Sequence, residues 1–181
     1  MLKKKHTRRR AREIAMQLIY MMNAREDIKP EEILQNFSFD EALVLFHGEP
    51  EDDVEEELSC ESSRSSDVFD TADLTDEEKD EILSYAKEIF GGTVSEAVAI
   101  DDIICMSMDR RWRPERIAAI DKAVISMAIY EGILSKKVPV NVAISEAVAI
   151  VKKFGAEESG RFVNGVLGRI SREYSENEDD Q

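Results

Sequence analysis

The sequence predicts an all-α protein, a bundle of six to seven helices. Apolar residues recur at intervals of three and four along most of the chain, which is the spacing of one helix face. The segments between these patterns are short, which favours neighbouring helices in a bundle, and no two segments have the pattern of a strand pair. With 181 residues, 43% of them hydrophobic, the chain is long enough to bury the core of a single domain.

Two helices are predicted in the first fifty residues. The first covers about 7–23, where Ile14 and Leu18 begin an apolar stripe at helical spacing. The second begins at Pro30, because proline is favoured at the first helical position, and its apolar pattern continues to a stop at Gly48.

The next segment carries most of the charge. Residues 49–81 hold 16 Asp and Glu against two basic residues, in a chain whose net charge is −15. Residues 49–74 are also serine-rich and contain few large apolar side chains, so burial cannot offset the entropy of ordering them. We therefore predict a disordered acidic insertion over about 49–74. A shorter acidic tail covers 173–181.

The third and fourth helices are predicted from capping boxes. Thr75 and Glu78 have the spacing at which a threonine hydroxyl and a glutamate side chain cap the first turn of a helix. This helix is predicted to end at Gly91–Gly92. Thr93 and Glu96 repeat the spacing and predict the start of the fourth helix.

Three further helices are predicted after the fourth. Pro114 is predicted to start the fifth, and Asn141 to act as the N-cap of the sixth. Gly155 is predicted to end the sixth with a positive φ. The last helix is predicted from about Ser159.

The sequence contains no motif of an enzyme. The histidines His6 and His47 have no Cys or His partner at metal-ligand spacing, and no CxxC, phosphate-binding or dinucleotide-binding motif is present. Asp101 and Asp102 are adjacent on a predicted helix, where their side chains diverge by about 100° and make a poor acid/base pair. Two cysteines suit a reducing compartment, and no apolar run approaches the roughly 18 residues of a membrane span. We therefore expect a cytoplasmic protein without a catalytic site, metal, cofactor or membrane segment.

A basic N-terminus is the strongest chemical signal. The first twelve residues contain no acid and seven lysines and arginines, among them Lys5, Arg8, Arg9, Arg10 and Arg12. Cations in the first turn of a helix oppose its dipole and repel one another, which makes an external anion a reasonable explanation. Guanidinium groups bind phosphate in a bidentate manner and stack on bases, as single-stranded RNA requires. A basic terminus that is merely solvated explains the composition equally well.

A second signal lies in the turn after Gly155. Gly160 falls in the first turn of the next predicted helix, so this turn exposes backbone amides together with Arg161. The ring of Phe162 could stack a base there. Spacing alone favours Phe162 as a core residue.

Three blocks of the sequence resemble the transcription antitermination factor NusB family. They are RRRAREIAMQLIY at 8–20, IDKAVISMAIYE at 120–131 and VPVNVAISEAVAIVKKFGAEESGRFVNGVLGRI at 138–170. The resemblance implies a single domain over 1–175 with two all-helical subdomains, at about 7–92 and 93–172. It also implies an RNA-binding protein without catalytic activity. Such a protein binds the boxA element of ribosomal RNA leader transcripts together with the ribosomal protein NusE, and it promotes elongation by RNA polymerase.

The resemblance also assigns roles to individual residues. The residues it implies as RNA contacts are Lys5, Arg8, Arg9, Arg10, Arg12, Glu158 and Phe162. The residues it implies on the NusE side are Tyr20, Asp121 and Glu131. Phe162 thereby becomes an expected RNA contact instead of a core residue, and Glu158 stands where the family often has Asp.

Three alternatives stay open at this point. An N-terminal domain of similar fold occurs in some RNA cytosine methyltransferases, so the chain could be an accessory domain of such a system. The acidic insertion either competes with RNA for the arginines or is a passive solvated loop. The free protein either stays monomeric or forms a homodimer through the NusE surface.

Overall fold

A computed structural model describes residues 2–25, 28–39, 42, 74–108 and 116–179, with side chains from Thr7 to Tyr174. Within these ranges the chain forms seven α-helices and no strand, as predicted. They are α1 (Leu2–Asn23), α2 (Pro30–Asn36), α3 (Asp76–Ser95), α4 (Ala97–Ser107), α5 (Ala119–Ile129), α6 (Val140–Phe154) and α7 (Ser159–Asp179). A π-helical turn, Tyr130–Leu134, continues α5. The predicted insertion lies outside the described residues apart from Leu74, which is buried.

Two helices organise the bundle. α1 packs chiefly against α3 and also against α5, and its residues Ala11, Ile14 and Leu18 are fully buried. α5 also packs against α6 and α7, and nearly every side chain from Asp121 to Ile129 is buried. A helix that is apolar on all sides must lie inside a bundle, and α5 has that position. No helix in the described ranges is long and apolar enough to cross a membrane.

Some helix ends lie where the sequence predicts them. The hydroxyl of Thr75 accepts from the amide of Glu78 at 3.2 Å, and the amide of Thr75 donates to the Glu78 carboxylate at 2.9 Å. The first capping box is therefore confirmed. Pro30 and Ser159 begin α2 and α7, as predicted. α2 ends at Asn36, however, before the predicted stop at Gly48, which itself lies outside the described residues.

The region after Gly91 differs from the prediction. α3 continues to Ser95, because Gly92 serves packing and does not end the helix: a Cβ there would lie 1.9 Å from the ring of Tyr130. Thr93 is consequently a buried residue inside α3 and not a cap. α4 begins after Glu96, which makes no side-chain cap.

The predicted ends of the fifth and sixth helices also need correction. α5 begins at Ala119, whereas Pro114 lies outside the described residues. α6 begins at Val140, with Pro139 and not Asn141 at the N-cap. Gly155 does end α6, but with φ −94°. It is required for close approach, because a Cβ would lie 2.6 Å from the carbonyl oxygen of Val151.

Candidate nucleic-acid interface

The arginines of α1 divide into buried and exposed members. Arg12 is 4% exposed and binds Glu131, which is 1% exposed. Its Nε lies 2.7 Å from Oε2 and its Nη2 lies 2.7 Å from Oε1 of that carboxylate. Neither side chain presents surface to a ligand. The two residues are bound to each other inside the protein, and the contacts implied for Arg12 with RNA and for Glu131 with NusE stay predictions.

Tyr85 of α3 completes this buried cluster. Its hydroxyl donates to Oε1 of Glu131, and the guanidinium carbon of Arg12 lies 5.9 Å from the centre of its ring. Burial and the bond to Glu131 hold the pKa of Tyr85 well above its ordinary value of 10, so its hydroxyl stays protonated. The π-helical turn places Glu131 at this point, where α1, α3 and the end of α5 are joined through one carboxylate.

Two more carboxylates tie α1 to α6. The carboxylate of Glu146, on α6, accepts hydrogen bonds from Nε and Nη2 of Arg9 at 3.1 and 3.2 Å. The same carboxylate lies 3.8 Å from Nη1 of Arg12. Glu13 of α1 accepts from Arg10 at 3.1 Å and from Lys153 of α6 at 3.2 Å. These bonds fix the arginines of α1 in register with the C-terminal half of α6.

Arg8 and Arg9 are the arginines of this run with substantial exposure. Arg9 is 41% exposed although it pairs with Glu146. Arg8 is exposed, and its guanidinium carbon lies 5.3 Å from the centre of the Tyr85 ring. Among the described side chains Arg8 has no carboxylate partner, whereas the side chain of Lys5 lies outside that set.

The turn between α6 and α7 forms the second part of the candidate site. The hydroxyl of Ser159 accepts from the amide of Ala156 at 3.2 Å, which fixes the turn at the start of α7. Glu158 and Arg161 are exposed and lie 3.7 Å apart, a surface pair that contributes little to stability. Phe162 is half-buried and packs against the core.

An open groove runs beside this turn. It is lined by Lys152 of α6 and by Glu158, Arg161 and Asn164, among others. Its polar lining consists of two cations, an amide and the two carboxylates of Glu157 and Glu158. Such a mixture can contact both the phosphates and the bases of a single strand. Lys153, next to Lys152 in sequence, bonds to Glu13, which also accepts from Arg10, so these bonds connect α1 to the end of α6.

The residues implied on the NusE side have different environments. Tyr20 is exposed on α1. Asp121 is buried in the first turn of α5, and its Oδ1 has no hydrogen-bond partner among the described residues. The structure thus brings Glu131, but not Tyr20, into the buried arginine cluster.

Sequence reasoning missed Tyr85, Glu146, Glu13 and Lys153. Glu13 could have been found, because it lies three residues after Arg10 on one helix face. Tyr85 and Glu146 lie 73 and 134 residues after Arg12, and no local pattern links residues at such separations.

Comparison with known proteins identifies relatives over nearly the whole chain. A family model described as the NusB family matches residues 44–172. The chain is similar to the transcription antitermination protein NusB of Thermodesulfovibrio yellowstonii, with 31% identity over 166 residues that cover 92% of each chain. It is also similar to the transcription antitermination protein NusB of Bacillus cereus, with 30% identity over 163 residues, 90% of this chain and 95% of the relative.

Solved structures share the fold. T. maritima NusB superposes with a TM-score of 0.62 at 27% identity and covers 92% of both chains. A structure of the antitermination factors NusB and NusE in complex with dsRNA matches with a TM-score of 0.63 at 21% identity, covering 93% of this chain and 98% of that one. At that identity the second match shows the fold alone.

These findings confirm the resemblance and the all-α fold inferred from the sequence. The relatives are named as antitermination proteins, which favours a non-enzymatic role over the accessory domain of a methyltransferase. The matched residues, the identity over nearly the full length and the common fold together show that the chain belongs to the NusB family.

Proposed function

We propose that this protein is an RNA-binding transcription antitermination factor that binds boxA RNA of ribosomal RNA leaders together with NusE. The observation that carries the proposal is that ion pairs tie the arginine run of α1 to α6, whose end borders the groove at the α6–α7 turn. The bonds of Glu13 to Arg10 and Lys153 link these two surfaces. A single strand that lies across both surfaces would contact guanidinium groups on α1 and an aromatic ring at the α6–α7 turn.

The residues divide into contacts and supports. Arg8 and Arg9 present exposed guanidinium groups to the RNA, Arg9 to a phosphate, and Lys5 extends the same basic surface. Arg9 either exchanges Glu146 for a phosphate or shares its guanidinium between the two, since part of its surface faces solvent. Arg10 and Arg12 hold α1 in place through Glu13 and Glu131.

The turn supplies contacts to the bases. Phe162 stacks one base with the exposed part of its ring, and Glu158 accepts a hydrogen bond from a base amino group. Arg161 beside Glu158 binds the adjoining phosphate.

The partner surface includes Tyr20, the exposed aromatic residue of α1. Asp121 and Glu131 are buried, so their part on the NusE side is indirect. A solved NusB is described in complex with NusE and RNA, which supports the same assembly for this chain. A factor that binds nascent transcripts acts in the cytoplasm, beside the elongating RNA polymerase, which it reaches through the RNA and NusE.

The test measures binding of boxA RNA by fluorescence anisotropy with and without NusE, over a series of salt concentrations. We expect NusE to increase the affinity, and log K to fall by roughly 0.7 for each phosphate contact per log unit of salt. Arg9→Ala should weaken binding and reduce the slope by about one contact. Arg169→Ala is the matched control, because Arg169 is an exposed arginine of α7 paired with Glu173. Absence of RNA binding in the presence of NusE would overturn the proposal.

A further inference from the structure

A cleft between the start of α1 and α3 adjoins the arginine run on the side of α3. Its lining residues are Thr7, Arg8, Glu81, Ser84, Tyr85 and Glu88. None of the residues contributed by α3 belongs to the contacts implied by the family resemblance. The cleft is also built from different elements than the groove at the α6–α7 turn.

The floor of the cleft is a cation–π pair. Arg8 lies over the ring of Tyr85, with 5.3 Å between the guanidinium carbon and the ring centre. The hydroxyl of Tyr85 is bonded to Glu131, which Arg12 holds from the other side. The ring is therefore fixed in the bundle, and the exposed guanidinium above it is a planar surface that no described carboxylate engages. Arginine planes of this kind stack on nucleic-acid bases.

The wall of the cleft consists of hydrogen-bond acceptors. Glu81, Ser84 and Glu88 lie on one face of α3, at intervals of three and four residues, and all three are exposed. Glu88 is paired with Lys137, which leaves Glu81 and Ser84 for a ligand. Two carboxylates repel a phosphate, but a carboxylate accepts well from the amino group of a base.

We propose that this cleft is a base-specificity site, in which one base of the bound single strand stacks on Arg8 and donates its exocyclic amino group to Glu81 and Ser84. The base is adenine, cytosine or guanine, because uracil has no amino group. This inference rests on the proposed RNA-binding function and adds to it a second site of base recognition, on α3.

The experiment compares RNAs that differ by one amino group. Each adenosine, guanosine or cytidine of the boxA RNA is replaced in turn by purine riboside, inosine or pyrimidin-2-one riboside, which lack that group and otherwise keep the ring. We expect one position at which the replacement weakens binding to the intact protein by roughly 10- to 100-fold, as for the loss of a hydrogen bond to a charged group. In the double variant Glu81→Ala with Ser84→Ala, that replacement should no longer matter. The control Glu77→Ala removes an exposed glutamate from the first turn of α3, outside the cleft, and should keep the discrimination.

A second variant separates stacking from charge. Arg8→Lys keeps the positive charge but loses the planar group, so affinity should fall by roughly 5-fold or more while the salt slope stays unchanged. If the intact protein binds no RNA, the proposed function fails. If it binds RNA but the Glu81 and Ser84 double variant keeps its base discrimination, or Arg8→Lys keeps full affinity, the present inference alone is overturned.

Discussion

Arg12 and Glu131 form a buried bidentate ion pair that joins α1 to the π-helical turn after α5. The pair lies at the centre of the cluster that also contains Tyr85, Arg9 and Glu146. Arg8 lies one turn before Arg12 on the same face of α1, and both guanidinium groups approach the ring of Tyr85. Arg12 is buried by its bond to Glu131, whereas Arg8, nearer the start of the helix, stays exposed.

Breaking this pair should strongly destabilise the protein. Glu131→Gln removes the charge that binds Arg12 in a bidentate manner, at nearly constant volume, and leaves only Glu146, 3.8 Å away, beside the buried guanidinium. This change should lower the free energy of unfolding by about 3–5 kcal/mol. Urea denaturation followed by circular dichroism measures this loss. Arg169→Ala, which removes an exposed pair, should change the same quantity by less than about 1 kcal/mol. A loss for Glu131→Gln as small as that of the control would contradict the role assigned to the pair.

The bond between Tyr85 and Glu131 predicts a dependence of stability on alkaline pH. At pH 7 Tyr85→Phe should lower the free energy of unfolding by about 1.5–3 kcal/mol, the contribution of a hydrogen bond to a charged group. Because the pKa of Tyr85 is raised by burial and by Glu131, its contribution is complete below pH 10. Above pH 10 the tyrosine of the unfolded chain ionises while that of the native protein does not, so the native state loses stability.

The unfolding free energies of the wild type and of Tyr85→Phe should therefore converge as the pH rises. The difference in unfolding free energy between wild type and Tyr85→Phe is expected to narrow by about 1.4 kcal/mol from pH 8 to pH 11, most of it above pH 10. Urea unfolding at a series of pH values from 8 to 11 measures the difference. A gap that stays constant over this range would show that Tyr85 is not protected in the native state.

Two glycines of the C-terminal region should respond oppositely to alanine. Gly155→Ala places a Cβ 2.6 Å from the carbonyl oxygen of Val151, and the resulting overpacking should cost about 1–3 kcal/mol. Gly165 lies exposed inside α7 with no atom within 4 Å of a Cβ, so Gly165→Ala should stabilise the protein by about 0.5–1 kcal/mol. Thermal denaturation of both variants measures the two effects, and a stabilising Gly155→Ala would refute the close approach in the turn.

Phe162 should contribute to RNA binding more than to stability. Phe162→Leu keeps an apolar side chain against the core but removes the ring. The free energy of binding boxA RNA should therefore become less favourable by about 1–3 kcal/mol. Tyr174→Leu removes an exposed aromatic ring from the same helix and serves as the control. Anisotropy titrations of the two variants measure the difference. Equal affinities would return Phe162 to a purely structural role.

Deletion of residues 50–72 tests the acidic insertion, which lies outside the described residues. The arginines at positions 9, 10 and 12 already have internal carboxylate partners, so the insertion is not needed to neutralise them. We expect the deletion to leave the affinity for random RNA unchanged. A tighter complex with random RNA after deletion would instead support competition between the insertion and the RNA.

The sequence predicted the helices and their general order because apolar spacing and capping are local properties. The capping box at Thr75 and the start of α2 at Pro30 depend on residues within one turn of helix, and both were correct. The end of α3 was predicted wrongly at Gly92. This glycine leaves room for the ring of Tyr130, a residue distant in sequence, and does not end the helix.

At the candidate site, too, features set by neighbouring residues were predicted and features set by residues distant in sequence were not. The sequence by itself determined the family, the run of arginines and the separation of that run from the acidic segments, since each is a matter of residue order. Only the tertiary structure decided that Arg12 is an internal residue and Arg8 an external one. The physical reason is that a guanidinium group is buried only where a carboxylate can compensate it, and the carboxylate of Glu131 is supplied by a helix 119 residues away.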